Sequence, residues 1–153
     1  MKLTTKGRYA VTAMLDLASC GVDKPTSLAE ISNRQSISLS YLEQIFGKLR
    51  RSGLVRSVRG PGGGYMLDGS PTTITVADII RAVDEPIQAT SCGTEAKKGG
   101  CNRTSRCITH DLWVELGQHI YGFLDAISLD RLAQETPILA PPGHLGTELR
   151  KAP

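Results

Sequence analysis

Apolar positions along this chain recur with the period of a helix, then briefly with that of a strand, then again with that of a helix. Tyr9, Ala13, Met14, Leu17 and Ala18 form the first stripe, led by Thr4 or Thr5 as a cap and stopped near Gly21, with Pro25 shortly after. Ser27 and Glu30 form a capping box that opens a short helix with Leu28 and Ile31 inward. Residues 34–37 make a turn. Ser40 and Glu43 form another box, so the next helix is expected to start at Ser40. Its stripe is Leu42, Ile45, Phe46 and Leu49, at i, i+3, i+4 and i+7. Two short β-like runs follow, residues 54–58 and Gly64–Leu67, around a Gly60-Pro61-Gly62-Gly63 turn.

Helical spacing then returns. Thr75 caps a helix over residues 76–83 with Val76, Ile79, Ile80 and Val83 inward, and Pro86 prevents its continuation. Residues 88–107 have no periodicity. From Thr109 a long helix runs to about Ile127, with a stripe of Leu112, Trp113, Leu116, Ile120, Phe123, Leu124 and Ile127. That stripe is wider than a small domain needs. One use for it is packing on the first helix; the favoured one is a dimer interface. The fold class is therefore mainly α with a small β-hairpin wing: a winged helix-turn-helix domain plus a long dimerisation helix. Residues 1–85 form the DNA-binding domain and 86–108 a cysteine-bearing loop. Residues 109–136 hold the dimerisation helix and a following short helix, and 137–153 a flexible tail.

Charge sharpens this picture. Residues 1–60 hold ten Lys and Arg against four Asp and Glu, a net of +6; with +3 for all 153 residues, the remainder carries −3. A basic half joined to a mildly acidic one suits a polyanion-binding domain with a separate module. Opposite the stripe of the Ser40 helix lie Ser40, Gln44, Gly47 and Arg51, flanked by Glu43 and Lys48. Arg50, Arg51, Arg56 and Arg59 crowd the same neighbourhood. A polar-faced helix beside a cationic, Gly-rich hairpin is how a winged helix-turn-helix meets double-stranded DNA. Gln44 suits adenine and Glu43 a cytosine amino group, while Arg59 beside Gly60 suits a narrow minor groove.

With 40% hydrophobic and 22% charged residues the chain can bury a real core. The N-terminus lacks the apolar region of a signal peptide, and no run approaches membrane-spanning length. A cytoplasmic protein without a membrane partner is expected, and reduced thiols with it. Cys20 ends the first stripe and reads as a small buried residue. Cys92, Cys101, Cys107 and His110 follow the spacing C-x8-C-x5-C-x2-H. Such a set can hold zinc or an iron–sulfur cluster, and the missing C-x2–4-C knuckle favours a larger inorganic core. A metal-free redox thiol cluster and an unliganded loop are the other readings.

The segments LTTKGRYAV, SISLSYLEQIFGKLRRSGLV, SVRGPGGGY and AVDEP, followed by the Cys/His loop, closely resemble the IscR family of iron–sulfur cluster regulators. The resemblance runs from residue 1 to about residue 135. It implies a dimeric winged-helix transcription factor, not an enzyme, that represses or activates cluster-assembly genes. It implies a [2Fe–2S] cluster on Cys92, Cys101, Cys107 and His110, with the iron–sulfur assembly machinery as donor. It also implies DNA contacts from Ser38, Ser40, Tyr41, Glu43 and Gln44, with Arg59 in the minor groove; Arg51 joins them from its place on the outer face. The family has five residues between its first two cysteines and this chain has eight, a loop extension costing only ~0.4 kcal/mol. Nitric-oxide-sensing relatives also use three cysteines on this fold; His110 at the x2 spacing favours the cluster-assembly type.

Overall fold

A computed structural model describes residues 4–21, 23–85 and 108–135. Their order is α1 (Thr5–Ser19), α2 (Leu28–Gln35), α3 (Leu39–Arg51), β1 (Val55–Val58), β2 (Gly64–Leu67), α4 (Val76–Ala82), α5 (His110–Asp125) and α6 (Leu129–Glu135). The architecture is mainly α with one antiparallel hairpin, as the apolar pattern indicates. Residues 86–107, which include most of the segment assigned to the cysteine-bearing loop, and the tail 137–153 lie outside the described residues.

The core is built from the apolar stripes. Ala10, Ala13, Met14 and Leu17 of α1 meet Ile31 of α2, Leu42, Ile45, Phe46 and Leu49 of α3, and Ile79 of α4. Burying a Leu, Ile, Phe or Met side chain stabilises by about 1.5–3 kcal/mol, so the four α3 residues fix that helix's rotation. The Ser27–Glu30 box forms as expected: Glu30 N donates to Ser27 Oγ, and Ser27 N donates to Glu30 Oε2 at 2.8 Å. Donation to it from Ser27 N and from Ser27 Oγ holds the Glu30 carboxyl below its ordinary range. Thr75 makes an equivalent box with Asp78.

The second box does not form. The helix begins one residue early, at Leu39, because Ser38 is extended (φ −60°, ψ 139°) and serves as N-cap. Its carbonyl accepts from Tyr41 N and Leu42 N. Ser40 therefore lies inside the first turn, and Glu43 is left exposed. The preceding turn contains Ser36 at φ 54°, ψ 39°, a left-handed conformation that disfavours residues with a Cβ. Ile37 is buried beside it, and Ser32 Oγ donates to the Ile37 carbonyl at 2.6 Å.

Polar bonds lock the helices where apolar contact leaves them free to slide. Asp16 of α1 is buried and accepts from Arg34 Nη2 at 2.7 Å, Arg34 Nε at 3.0 Å and Gln35 Nε2 at 2.7 Å. The hairpin pairs Val55 with Leu67 and Val58 with Gly64. A third segment joins it: Thr26 N donates to Tyr65 O at 3.0 Å, and Tyr65 N to Thr26 O at 2.8 Å. Gly64 makes this possible, since a Cβ there would collide with the Thr26 backbone.

The long helix does not pack on α1, the less favoured of its two readings. α5 packs on α4, while the helix that packs on α1 is α6. The α5–α6 corner is tied to the head by Val76 N donating to Ile127 O and Leu129 N to Ile74 O, each at 2.9 Å. No residue of α5 is buried, and Leu112 and Phe123 are 57% and 66% exposed. No helix of the described residues is long and apolar enough to cross a membrane.

Two substitutions test the backbone account in opposite directions. Gly64→Ala should destabilise the fold by about 1–3 kcal/mol, the range for forcing extra atoms into a packed site. Ser36→Gly should stabilise it by roughly 1 kcal/mol through relief of the left-handed strain. Urea unfolding of both variants reads the two signs directly.

Candidate nucleic-acid interface

Burial of the α3 stripe turns the opposite side of that helix to solvent. Ser38, Ser40, Glu43, Gln44 and Arg51 are all exposed, on the N-cap and the outer turns of one helix. Tyr41 is half-buried, and its ring meets Tyr9 of α1 edge-on at 5.9 Å between centroids. Gly47 lies between Gln44 and Arg51 on this face, and a Cβ added to it would meet nothing within 4 Å. Its carbonyl accepts from Arg51 Nε at 3.1 Å, which lays the guanidinium along the helix.

The helix end is basic. Lys48, Arg50 and Arg51 occupy the last turn of α3, where cations also complement the helix dipole. Arg59 is exposed and follows β1 directly, just before Gly60 at φ 107°. Arg56 and Ser57 are exposed on β1. The hairpin is seated on the head through Tyr65, whose ring meets Phe46 of α3 at 4.9 Å. The same core residue thus anchors α3 and braces the hairpin.

The seven candidate DNA-facing residues therefore divide into six on α3 and its cap and one on the wing. Sequence reasoning missed two neighbours. Tyr9 supports Tyr41 from α1; a Tyr at the start of an apolar stripe gave no reason to set it apart. Asp84 sits at the end of α4, and its Oδ2 lies 2.6 Å from Lys48 Nζ. Hydrogen bonding from Lys48, then the charges of Lys48, Lys6 and Arg51, hold its carboxyl below the ordinary range.

Of the candidate cluster ligands, Cys92, Cys101 and Cys107 lie outside the described residues. His110 lies inside, as the first residue of α5, and is half-buried. The described helix starts at His110 itself. Among the described residues no group of three or more His, Cys, Asp or Glu is gathered to hold a metal. Cys20 caps the end of α1 and is half-buried rather than buried.

Glu43 carries no capping bond, so its side chain adds little to the fold. Glu43→Ala should change unfolding free energy by less than about 0.5 kcal/mol, the usual range for a surface site. A larger loss in thermal or urea melts would restore a capping role for it.

The chain is similar to known transcriptional regulators. The family model described as "Rrf2: Iron-dependent Transcriptional regulator" matches residues 3–135. The chain is 53% identical over 154 residues to the HTH-type transcriptional regulator IscR of Photorhabdus laumondii, covering 100% of this chain and 92% of that protein. It is 51% identical over 147 residues to the IscR of Escherichia coli O1:K1 / APEC, covering 96% and 89%. Among solved structures, CymR (YrzC), the global cysteine regulator of B. subtilis, superposes with a TM-score of 0.74. It is 36% identical, covering 89% of this chain and 98% of that one. The IscR of T. potens gives 0.71 at 37% identity, covering 88% of each.

Proposed function

The chain belongs to the Rrf2 family of DNA-binding transcriptional regulators, and from that premise we propose that it senses iron–sulfur cluster status in the manner of IscR. In this reading a homodimer carries a [2Fe–2S] cluster on Cys92, Cys101, Cys107 and His110, receives it from the assembly machinery, and controls cluster-assembly genes in the cytoplasm. The observation that carries it is the donor set, Cys92, Cys101 and Cys107 in the sequence and His110 opening α5, in a chain half identical to IscR proteins over nearly all its length.

The donors fit the group. Thiolate and imidazole are the ligand types that iron–sulfur centres take, and His in place of Cys raises the potential. A bound cluster would supply an inorganic core whose presence tracks iron and sulfur supply. His110 must be neutral to ligate, so occupancy should fall at acid pH. As the first residue of α5 it sits at the positive end of a helix dipole, which favours a thiolate-rich, anionic neighbour.

On DNA, the exposed face of α3 would lie in the major groove. Gln44 pairs with adenine and Glu43 accepts from a cytosine amino group, while Ser38, Ser40, Tyr41 and Arg51 hold the backbone. Arg59 enters a narrow minor groove from the wing. Pairing two heads through the apolar side of α5, with Leu112, Leu116 and Phe123 on one side, would set half-sites roughly 34 Å apart. The exposure of that side in the described chain supports an occupant of this kind.

Anaerobically purified protein should contain stoichiometric iron and acid-labile sulfide, and Cys92→Ala should lose both. Loaded and stripped protein should differ on a panel of operators by about 5–150-fold in Kd, a typical coupling. Colourless protein with neither element after reconstitution would overturn the cluster and favour a metal-free thiol switch; stoichiometric zinc would favour a structural metal. Arg59→Ala should weaken binding most where A/T-rich sequence underlies the wing. Equal loss on every sequence would reduce Arg59 to a phosphate contact.

A further inference from the structure

Asp84 is a carboxylate set beside the cationic last turn of α3. Its backbone is left-handed, at φ 55°, a conformation few residues with a side chain adopt. That conformation is fixed on both sides. Asp84 N donates to Arg81 O at 3.0 Å and Glu85 N to Ile80 O at 3.2 Å. Glu85 is buried and accepts from Thr4 N at 3.0 Å and Thr4 Oγ1 at 2.6 Å, the cap residue of α1. The main chain therefore aims Asp84 at α3, where its carboxylate accepts from Lys48 at 2.6 Å. Asp84 itself is largely exposed, 76% at the side chain, so burial gives no reason for its position.

We propose that Asp84 is a specificity-determining positioning residue: it occupies Lys48 as a built-in counter-ion and so lowers sequence-independent affinity for DNA. This rests on α3 as the DNA-facing helix. A lysine on the last turn of that helix would otherwise neutralise a phosphate and release a counterion, adding affinity on every sequence alike. With the pair closed, neither group adds to that sum. Base contacts from the exposed face then carry a larger share of the binding, and discrimination rises.

A charge cycle tests this on the full chain with a mixed-sequence DNA duplex, with Kd measured across a range of KCl concentrations. Asparagine tolerates positive φ, so Asp84→Asn keeps the backbone, which circular dichroism verifies. Asp84→Asn should tighten binding several-fold and steepen the slope of log K against log salt by about 0.9, one added phosphate contact. The Asp84→Asn, Lys48→Gln double variant should return both to wild-type values, because the pair is removed as a neutral unit. A gain that persists in the double variant overturns the proposal, since Lys6 and Arg51 would then be responding to a general field. Arg51→Gln separates the two levels. If it flattens the slope while Asp84→Asn changes nothing, the Asp84 assignment alone fails. If neither moves the slope, the placement of α3 against DNA fails with it.

Discussion

Phe46 and its three companions on α3 govern this molecule. Leu42, Ile45 and Leu49 are 1% exposed or less, and Phe46 is fully covered. A helix anchored along one side by four such residues has no rotational freedom left. Its opposite side must face outward, and in this sequence that side carries Ser40, Gln44, Gly47 and Arg51. On the proposed reading, the DNA-facing side chains are thus placed by residues buried in the core. Tyr65 extends the same constraint to the wing by packing its ring on Phe46.

Apolar contact fixes rotation but not the sliding of one helix along another, because it is nearly indifferent to direction. Asp16 supplies direction. A carboxylate with three nitrogen donors between 2.7 and 3.0 Å from two successive residues of α2 admits one arrangement of α1 against α2. Glu85 does the same between α1 and the end of α4, and both acids are buried. Buried charge is expensive unless it is fully bonded. Neither acid is left short, since no buried side-chain nitrogen or oxygen among the described residues lacks a partner. The geometry of the reading head therefore rests on a few directional bonds laid over a non-directional core.

Much of this was legible in the sequence, for identifiable reasons. Stripes at i, i+3, i+4 and i+7 located the helices because burial enforces period directly. Ser27 and Glu30 announced a cap that formed. Ser40 and Glu43 announced one that did not: the same residue types occur two positions inside a helix whose N-cap is Ser38, and spacing alone cannot tell a cap from a first turn. The Thr75–Asp78 box went unnoticed as a pair because its acid is the shorter one. Long-range bonds such as Asp16 to Arg34 or Lys48 to Asp84 leave no local trace, since they join residues 18 and 36 positions apart. The exposed face of α3 was visible in advance. Its neighbour Asp84 was not, because its significance lies in what the fold brings beside it.

α5 raises a different physical point. It is one rigid rod of 16 residues, about 24 Å at the standard rise. Its far end is pinned to the head by the backbone bonds of Ile127 and Leu129. Its near end begins at His110, the one candidate cluster ligand within the described chain, and between them lie Leu112, Leu116 and Phe123. On the proposed reading, sensor ligand and subunit contact therefore share a single element, with no flexible joint among the described residues between them. On that reading a pull on His110 would tilt the rod, which packs on α4 and is tied at its far end by those backbone bonds, and would shift the apolar side as a unit. In a paired regulator that shift changes the separation of two reading heads, and groove spacing on DNA tolerates little error. Coupling of this kind needs no chain of altered side chains through the core. It needs a stiff helix, one fixed end and a ligand at the other.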